Sequence, residues 1–112
     1  MIIYLKNKHT LKVDEFNFKC SIGKKGLSLK KKEGDKKTPK GTFHIDKLYF
    51  RGDKKYDIKT SLETIKIKKN MGWCDDVNYP KQYNKLIKIK KNIRHEKLKR
   101  KDDQYNLIIP IK

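Results

Sequence analysis

Two cysteines, Cys20 and Cys74, and the neighbours His95 and Glu96 are the residues in this sequence that could do acid–base or nucleophilic chemistry. A thiol acts as a nucleophile when a base or a positive charge beside it favours the thiolate. Two aspartates follow Cys74, so we predict it to be a poor nucleophile. Cys20 lies in an alternating apolar stretch and is interpreted as a small buried hydrophobe. We therefore assign no catalytic residue.

His95 and Trp73 are the two candidate substrate-lining residues. His95 and Glu96 could form a general acid–base pair, but neighbours in sequence do not face one another on a helix, and a structural histidine is the competing interpretation. Trp73, the sole tryptophan, is either a core anchor or a surface that contacts a ligand. The pair Asp75-Asp76 lacks the spaced carboxylates of a calcium loop. No metal site and no cofactor are predicted.

The composition is strongly basic. The net charge is +18, and only Arg51, Arg94 and Arg100 among the 31 basic residues are arginines. A surface that binds a polyanion and a codon bias toward lysine both explain this charge. The two cysteines form neither a disulfide framework nor a zinc knuckle, although a bond between them stays open. No apolar run approaches the roughly 18 residues of a membrane span, and no signal peptide is visible.

One loop is unusually well specified by its residue types. Residues 33–45 read EGDKKTPKGTFHI. Pro39 presets a turn and forces Thr38 toward extended geometry, and Asp35 can accept hydrogen bonds from turn amides. The sequence therefore predicts a shaped loop that leads into a strand. The lysines on and before it, from Lys30 onward, either are solvated or face the carboxylates of a substrate.

The apolar pattern predicts a mainly β fold, sheet- or sandwich-like, with little helix. Strands are expected at residues 1–5 (buried), 11–13 (a hairpin return), 16–22 (half-buried), 42–50, 62–68 and 105–111. Phe43 and Ile45 are expected on the core side, and Pro110 at a sheet edge or strand end. Gly72 is expected in a tight turn, and residues around His95 in a helical turn or an irregular loop. Residues 83–89 fit helix and strand equally.

Four blocks together resemble, in order, the YkuD-type L,D-transpeptidase family. They are Phe18-Lys19-Cys20-Ser21-Ile22-Gly23; Gly34-Asp35-x-x-Thr38-Pro39-x-Gly41-x-Phe43-x-Ile45; Met71-Gly72-Trp73-Cys74-Asp75-Asp76 with Tyr83-Asn84; and His95-Glu96-x-Leu98-x-Arg100-x-Asp102 with Tyr105. The resemblance runs from about Phe16 to the end of the chain. It implies the family's β fold, here an incomplete one, as a single truncated domain over residues 1–112.

The resemblance also implies a function at the cell wall. Enzymes of the family act on peptidoglycan stem peptides, where a thiolate attacks the carbonyl between a diamino acid and D-alanine and an amine or water resolves the thioester. Their active site is a downstream His and a Gly-Cys pair, which this chain lacks, so we expect it to be inactive alone. Peptidoglycan is the implied partner and the cell envelope the implied location. The alternative is a small basic β-rich module that binds nucleic acid.

Overall fold

The structure, a computed structural model, describes residues 1–29 and 32–112, and every regular element in these ranges is a β-strand. The predicted mainly β class is confirmed. Lys30 and Lys31 of the lysine run lie outside the described residues. Within the described ranges, no helix is long and apolar enough to cross a membrane. The chain divides into two compact units, unit 1 (Met1–Thr42) and unit 2 (Phe43–Lys112). The single domain over residues 1–112 stays a prediction.

The strands are short. In chain order, those in the described residues are β1 (Ile3–Asn7), β2 (Thr10–Val13), β3 (Phe16–Lys19), β4 (Leu27–Ser28), β5 (Thr38–Pro39), β6 (Leu48–Phe50), β7 (Thr64–Lys66), β8 (Met71–Cys74), β9 (Leu86–Lys88), β10 (His95–Lys97) and β11 (Leu107–Ile108).

Unit 1 contains an antiparallel sheet in the order β1-β2-β3, which confirms the predicted hairpin return. Asp14, with a φ of 51°, forms the tight turn between β2 and β3, a conformation that aspartate tolerates better than most residues. The expected burial of the first strand is wrong, since Met1 and Ile2 are exposed. In residues 16–22, Phe16 is 67% and Phe18 52% exposed, against expectation, whereas Cys20 and Ile22 are half-buried as expected. The physical reason is that the described residues of unit 1 contain no buried hydrophobic side chain against which this sheet could pack.

The loop of residues 33–45 has the internal order that its sequence predicts. Asp35 accepts hydrogen bonds from the amides of Lys32 and Lys37, both at 2.9 Å. Thr38 is extended and pairs in β5 with the parallel strand β4. Its hydroxyl accepts a hydrogen bond from the Gly23 amide at 2.7 Å. The two segments of the chain approach so closely here that a Cβ atom added to Gly23 would lie 2.4 Å from the Lys36 carbonyl oxygen.

Unit 2 contains two three-stranded sheets. In one, with the order β11-β6-β7, β6 pairs parallel with β7 and antiparallel with β11; in the other, β8 lies between β10 and β9 and is antiparallel to both. Tyr49, Ile67 and Leu98 form the buried core cluster. Partly buried side chains from both sheets surround them: Ile65, Met71, Trp73, Leu86, Tyr105 and Ile108. The two sheets therefore bury their apolar faces against one core.

The predicted strand at residues 42–50 is correct only in its second half. Regular pairing begins at Leu48, and Ile45 makes a single bridge to Ile111. Phe43 and Ile45 are about two-fifths exposed, so their expected core position is wrong. Among the described residues, this segment is joined to the end of the chain by the bridge at Ile45 and by two backbone hydrogen bonds between His44 and Lys112. The edge position expected near Pro110 is confirmed, because β11 lies at a sheet edge and ends before this proline.

Candidate functional site

The third and fourth sequence blocks form neighbouring strands of one sheet. Gly72 is not in a turn, and His95 is not in a helical turn or a loop, so both local expectations are wrong. In the pairing of β8 with β10, Cys74 lies opposite His95, Trp73 opposite Glu96, and Gly72 opposite Lys97. Residues 83–89, left open between helix and strand, supply β9 on the other side. Local patterns missed β10 because His-Glu-Lys has little strand propensity and pairing with β8 decides its conformation.

Alternation along these strands places the two candidate residues on opposite faces. Successive side chains of a strand point to opposite sides of the sheet, and residues directly opposite in a pair share a side. His95 therefore shares a face with Cys74 and Gly72, whereas Trp73 shares the other face with Glu96. The structure brings His95 and Trp73 to adjacent positions but does not aim them into one common pocket.

The imidazole of His95 lies across Gly72. A side-chain carbon built on Gly72 would meet His95 Cδ2 at 3.0 Å and Ile89 Cγ1 at 3.2 Å, so the missing side chain makes room for the ring. His95 Nδ1 lies 2.8 Å from the carbonyl oxygen of Ile93. Because a carbonyl can only accept, Nδ1 is the donor, and in the neutral ring Nε2 is left as an acceptor. The ring is half-buried.

Cys74 lies on the same face but is fully buried, with 0% of its surface exposed. Within the described residues, neither cysteine thiol has a hydrogen-bond partner, and both cysteines are free rather than bonded to each other. Cys20, in unit 1, is half-buried directly after β3. Neither thiol has the combination of exposure and an adjacent base that nucleophilic attack requires.

Trp73 is half-buried on the core-facing side of β8, where it packs against the core cluster. Its indole Nε1 donates a hydrogen bond to Asn84 Oδ1 at 2.9 Å. This contact links the two parts of the third block, Met71–Cys74 and Tyr83-Asn84. The geometry supports the role of a core anchor with one polar edge, and contact between Trp73 and a substrate stays a prediction.

The aspartates that follow Cys74 bind protein groups at the strand end. Asp75 pairs with Arg94, whose Nε lies 3.2 Å from Asp75 Oδ1. Asp76 accepts hydrogen bonds from the amides of Arg94 and Asn78, each at 3.0 Å, and these two amides lower the pKa of Asp76. The two carboxylates thus fasten the end of β8 to the start of β10.

Two further sets of polar contacts in unit 2, around Arg51 and between Tyr105 and Glu96, were not identified from the sequence. Arg51, only 4% exposed, donates to both carboxylate oxygens of Asp53, at 2.8 and 2.6 Å, and to the Arg100 carbonyl oxygen at 2.6 Å. Tyr105 donates to Glu96. Burial first, and then this contact with Glu96, raises the pKa of Tyr105 to about 12. The sequence signal that could have identified Arg51 is its position directly after an apolar strand and two residues before Asp53.

The four blocks meet in pairs. The first two meet in unit 1, through the hydrogen bond from Gly23 to Thr38, and the last two meet in unit 2, through the pairing of β8 with β10. The sequence model of the YkuD family, described as the L,D-transpeptidase catalytic domain, matches residues 1–106. No curated protein and no solved structure matches the chain.

The matched residues include all four blocks, and they cover far more than half of the chain. The function that follows from this match is L,D-transpeptidase-like, in peptidoglycan cross-linking. The chain belongs to the YkuD family of L,D-transpeptidase catalytic domains.

Proposed function

We propose that this chain provides a peptide-contacting scaffold of an L,D-transpeptidase, in which His95 faces the peptidoglycan stem peptide and neither cysteine acts as the nucleophile. The observation that carries this proposal concerns Cys74 on β8 and His95 on β10, which lie directly opposite each other in the strand pairing. Cys74 is fully buried and His95 is half-buried, although the two residues are register partners on one face of the sheet. The face therefore offers an accessible ring but no accessible thiol.

His95 has the chemistry to contact a stem peptide. With Nδ1 donating to Ile93, Nε2 can accept a hydrogen bond from a peptide amide or from the side-chain ammonium of a diamino acid. The ring lies across Gly72, and the hydrogen bond to Ile93 fixes its orientation. A ring held in one orientation loses little entropy when it binds, which favours a role in positioning a ligand.

The proposal that the chain is inactive alone rests on the state of its thiols. Acyl transfer through a thioester needs a thiolate within hydrogen-bond reach of a base and open to the substrate carbonyl. Cys74 has no exposed surface, and the described part of the chain gives neither thiol a hydrogen-bond partner. The scaffold role thus requires that the reacting thiol come from residues other than these two.

Binding of a defined muropeptide tests the part assigned to His95. A disaccharide tetrapeptide is titrated into the purified full chain while the imidazole Cε1–H signals are followed by NMR. We expect the His95 signal to shift on binding and the variant His95→Gln to bind about tenfold more weakly, since one charge-assisted hydrogen bond is lost. His44→Gln is the matched control, because His44 is exposed in the same unit. Equal affinities of the two variants would contradict the assignment.

Activity on the same substrate tests the part assigned to the thiols. Muropeptides incubated with the full chain are separated by chromatography, and we expect neither cross-linked nor trimmed products. Products that disappear in Cys74→Ser but persist in Cys20→Ser would overturn the proposal, because they would show that the buried thiol becomes available to the substrate.

A further inference from the structure

Unit 2 also contains a cleft of about 510 Å³ lined almost entirely by cations, one of which, Lys97, shares the sheet face of His95. Its lining residues are Arg51, Asp53, Lys54, Lys69, Lys97, Lys99, Arg100 and Lys101. They come from the segment after β6, the turn between β7 and β8, and the end of β10 with the residues that follow it. The volume is in the range of small-ligand sites.

The walls of this cleft are fixed by ion pairs. Arg51 is held by both oxygens of Asp53 and by the Arg100 carbonyl oxygen, which ties the two sides of the cleft together. Hydrogen bonds from Arg51 lower the pKa of Asp53 to about 2. Two further pairs, Arg100 with Asp102 and Lys54 with Asp103, lie at 2.9 and 3.0 Å. Three of the lining cations are therefore already neutralised by aspartates.

Four lining cations remain without such a partner. Among the described residues, no carboxylate oxygen lies within 4.0 Å of the side-chain nitrogens of Lys69, Lys97, Lys99 and Lys101. Lysines at this density repel one another, and a cleft concentrates their field. A multivalent anion in the cleft would interact favourably with this field.

The kind of anion follows from what lines the cleft. All four unpaired cations are lysines, which bind phosphate as point charges and lack the planar fork with which arginine grips carboxylate and phosphate alike. No aromatic side chain lines the cleft, whereas proteins that bind single-stranded nucleic acid stack bases on aromatic rings. Recognition here rests on charge alone, without base stacking.

We propose that this cleft binds a flexible polyanion that carries a phosphate group in every repeat and no bases. Free polyphosphate and a phosphodiester-linked polymer share this chemistry. The cleft borders the face of His95 through Lys97, and the binding of a polyanion there does not require the proposed function of His95. It would hold this basic chain on a phosphate-rich polymer while His95 remains available.

The test compares two triple variants of the full chain that lose the same charge. The cleft variant carries Lys69→Gln, Lys97→Gln and Lys101→Gln. The control variant carries Lys85→Gln, Lys88→Gln and Lys90→Gln, which are exposed lysines of the same unit outside the cleft. Binding of long-chain polyphosphate, poly(glycerol phosphate), polyglutamate and oligo(dT) is measured at fixed ionic strength. Circular dichroism and Trp73 fluorescence verify that both variants are folded.

We expect the cleft variant to bind polyphosphate or poly(glycerol phosphate) about tenfold more weakly than the unmodified chain, and the control variant less than about threefold more weakly. Both variants lose the same net charge, but only the cleft variant loses direct contacts with the polymer. The tighter of the two phosphate polymers identifies the source of the ligand. Equal losses in both variants would overturn the site. Polyglutamate binding as tightly as the phosphate polymers would overturn the ligand class, and so would cleft-dependent preference for oligo(dT).

Discussion

Unit 1 and unit 2 are built from equally short strands with similar alternating sequences, but only one of them buries its apolar side chains. In the described residues, every buried hydrophobic side chain lies in unit 2. Unit 1 exposes Phe16 and Phe18 from its three-stranded sheet. The difference is in side-chain packing, because side chains from both sheets of unit 2 surround one buried cluster, whereas the described residues of unit 1 form no such cluster.

The same comparison holds for the polar contacts. In unit 1, the sequence blocks meet through backbone groups, a threonine hydroxyl and a close approach at Gly23. In unit 2, they meet through the pairing of β8 with β10, and the ion pair between Asp75 and Arg94 reinforces one end of that pairing. Alternation of apolar residues thus indicates a strand in both units, but it does not report whether a second layer exists to cover that strand.

The largest expected effect is on the core of unit 2. Leu98 is 2% exposed, and Leu98→Ala should lower the free energy of unfolding by about 3 kcal/mol through lost burial and the cavity that remains. The matched control is Leu29→Ala in unit 1, where the leucine is 81% exposed and the expected loss is below about 0.5 kcal/mol. Urea denaturation followed by circular dichroism measures both. Similar losses would mean that the two units do not differ in burial as described.

The next effect depends on pH and concerns Asp53, whose pKa falls from 3.8 to about 2 because Arg51 donates to it. Because the pKa of Asp53 is lower in the folded chain than in the unfolded chain, the Asp53 charge stabilises the folded state at pH values above 3.8. This stabilisation is lost as the pH falls through 3.8 toward 2. Asp53→Asn should therefore be less stable than the unmodified chain at pH 7, and the two should converge near pH 2.

Asp57→Asn is the control for this prediction, since Asp57 and its partner Lys59 are both highly exposed and 3.7 Å apart. Thermal unfolding at pH 7, 4, 3 and 2 gives the comparison. A constant difference between Asp53→Asn and the unmodified chain across this range would refute the role of the Asp53 charge.

Much of the fold could be predicted from sequence where the signal is local. Alternation located β3 and β7, and the turn chemistry of Asp35 gave the ordered loop, although Pro39, expected at a turn, lies in β5. The strand at His95 could not be found in this way, because a polar triplet becomes a strand only through its pairing with β8.

The candidate site was predicted less well than the fold. Trp73 and His95 were identified by residue type, but their placement on opposite faces follows from a register that no local pattern contains. Arg51 was overlooked because its importance comes from burial and from a contact with Arg100 nearly fifty residues away. Such contacts depend on which chain segments the fold brings together.

A smaller effect is expected at Gly72, which tests whether the outer face of β8 is also closely packed. Gly72→Ala would bring a methyl group to 3.0 Å from His95 Cδ2 and 3.3 Å from the Glu96 carbonyl oxygen. We expect a loss of about 1 to 2 kcal/mol and a changed NMR environment of the His95 ring. Gly52→Ala is the control, because its methyl group would meet only the flexible end of Lys66. Equal losses would show that the His95 ring is not confined by Gly72.

The smallest expected effect comes from removing one tyrosine hydroxyl. The comparison is between a hydroxyl that donates a hydrogen bond in unit 2 and an exposed hydroxyl in unit 1. Tyr105→Phe removes the donor to Glu96 and should cost about 1 kcal/mol, whereas Tyr4→Phe in the exposed sheet should cost almost nothing. Because the pKa of Tyr105 is raised from 10.0 to about 12, its contribution is complete below pH 10 and is lost as the pH rises toward 12. Urea denaturation at pH 8, 10 and 11.5 should therefore show the gap between Tyr105→Phe and the unmodified chain closing at high pH. A gap that stays constant would assign the loss to packing of the ring rather than to its hydroxyl.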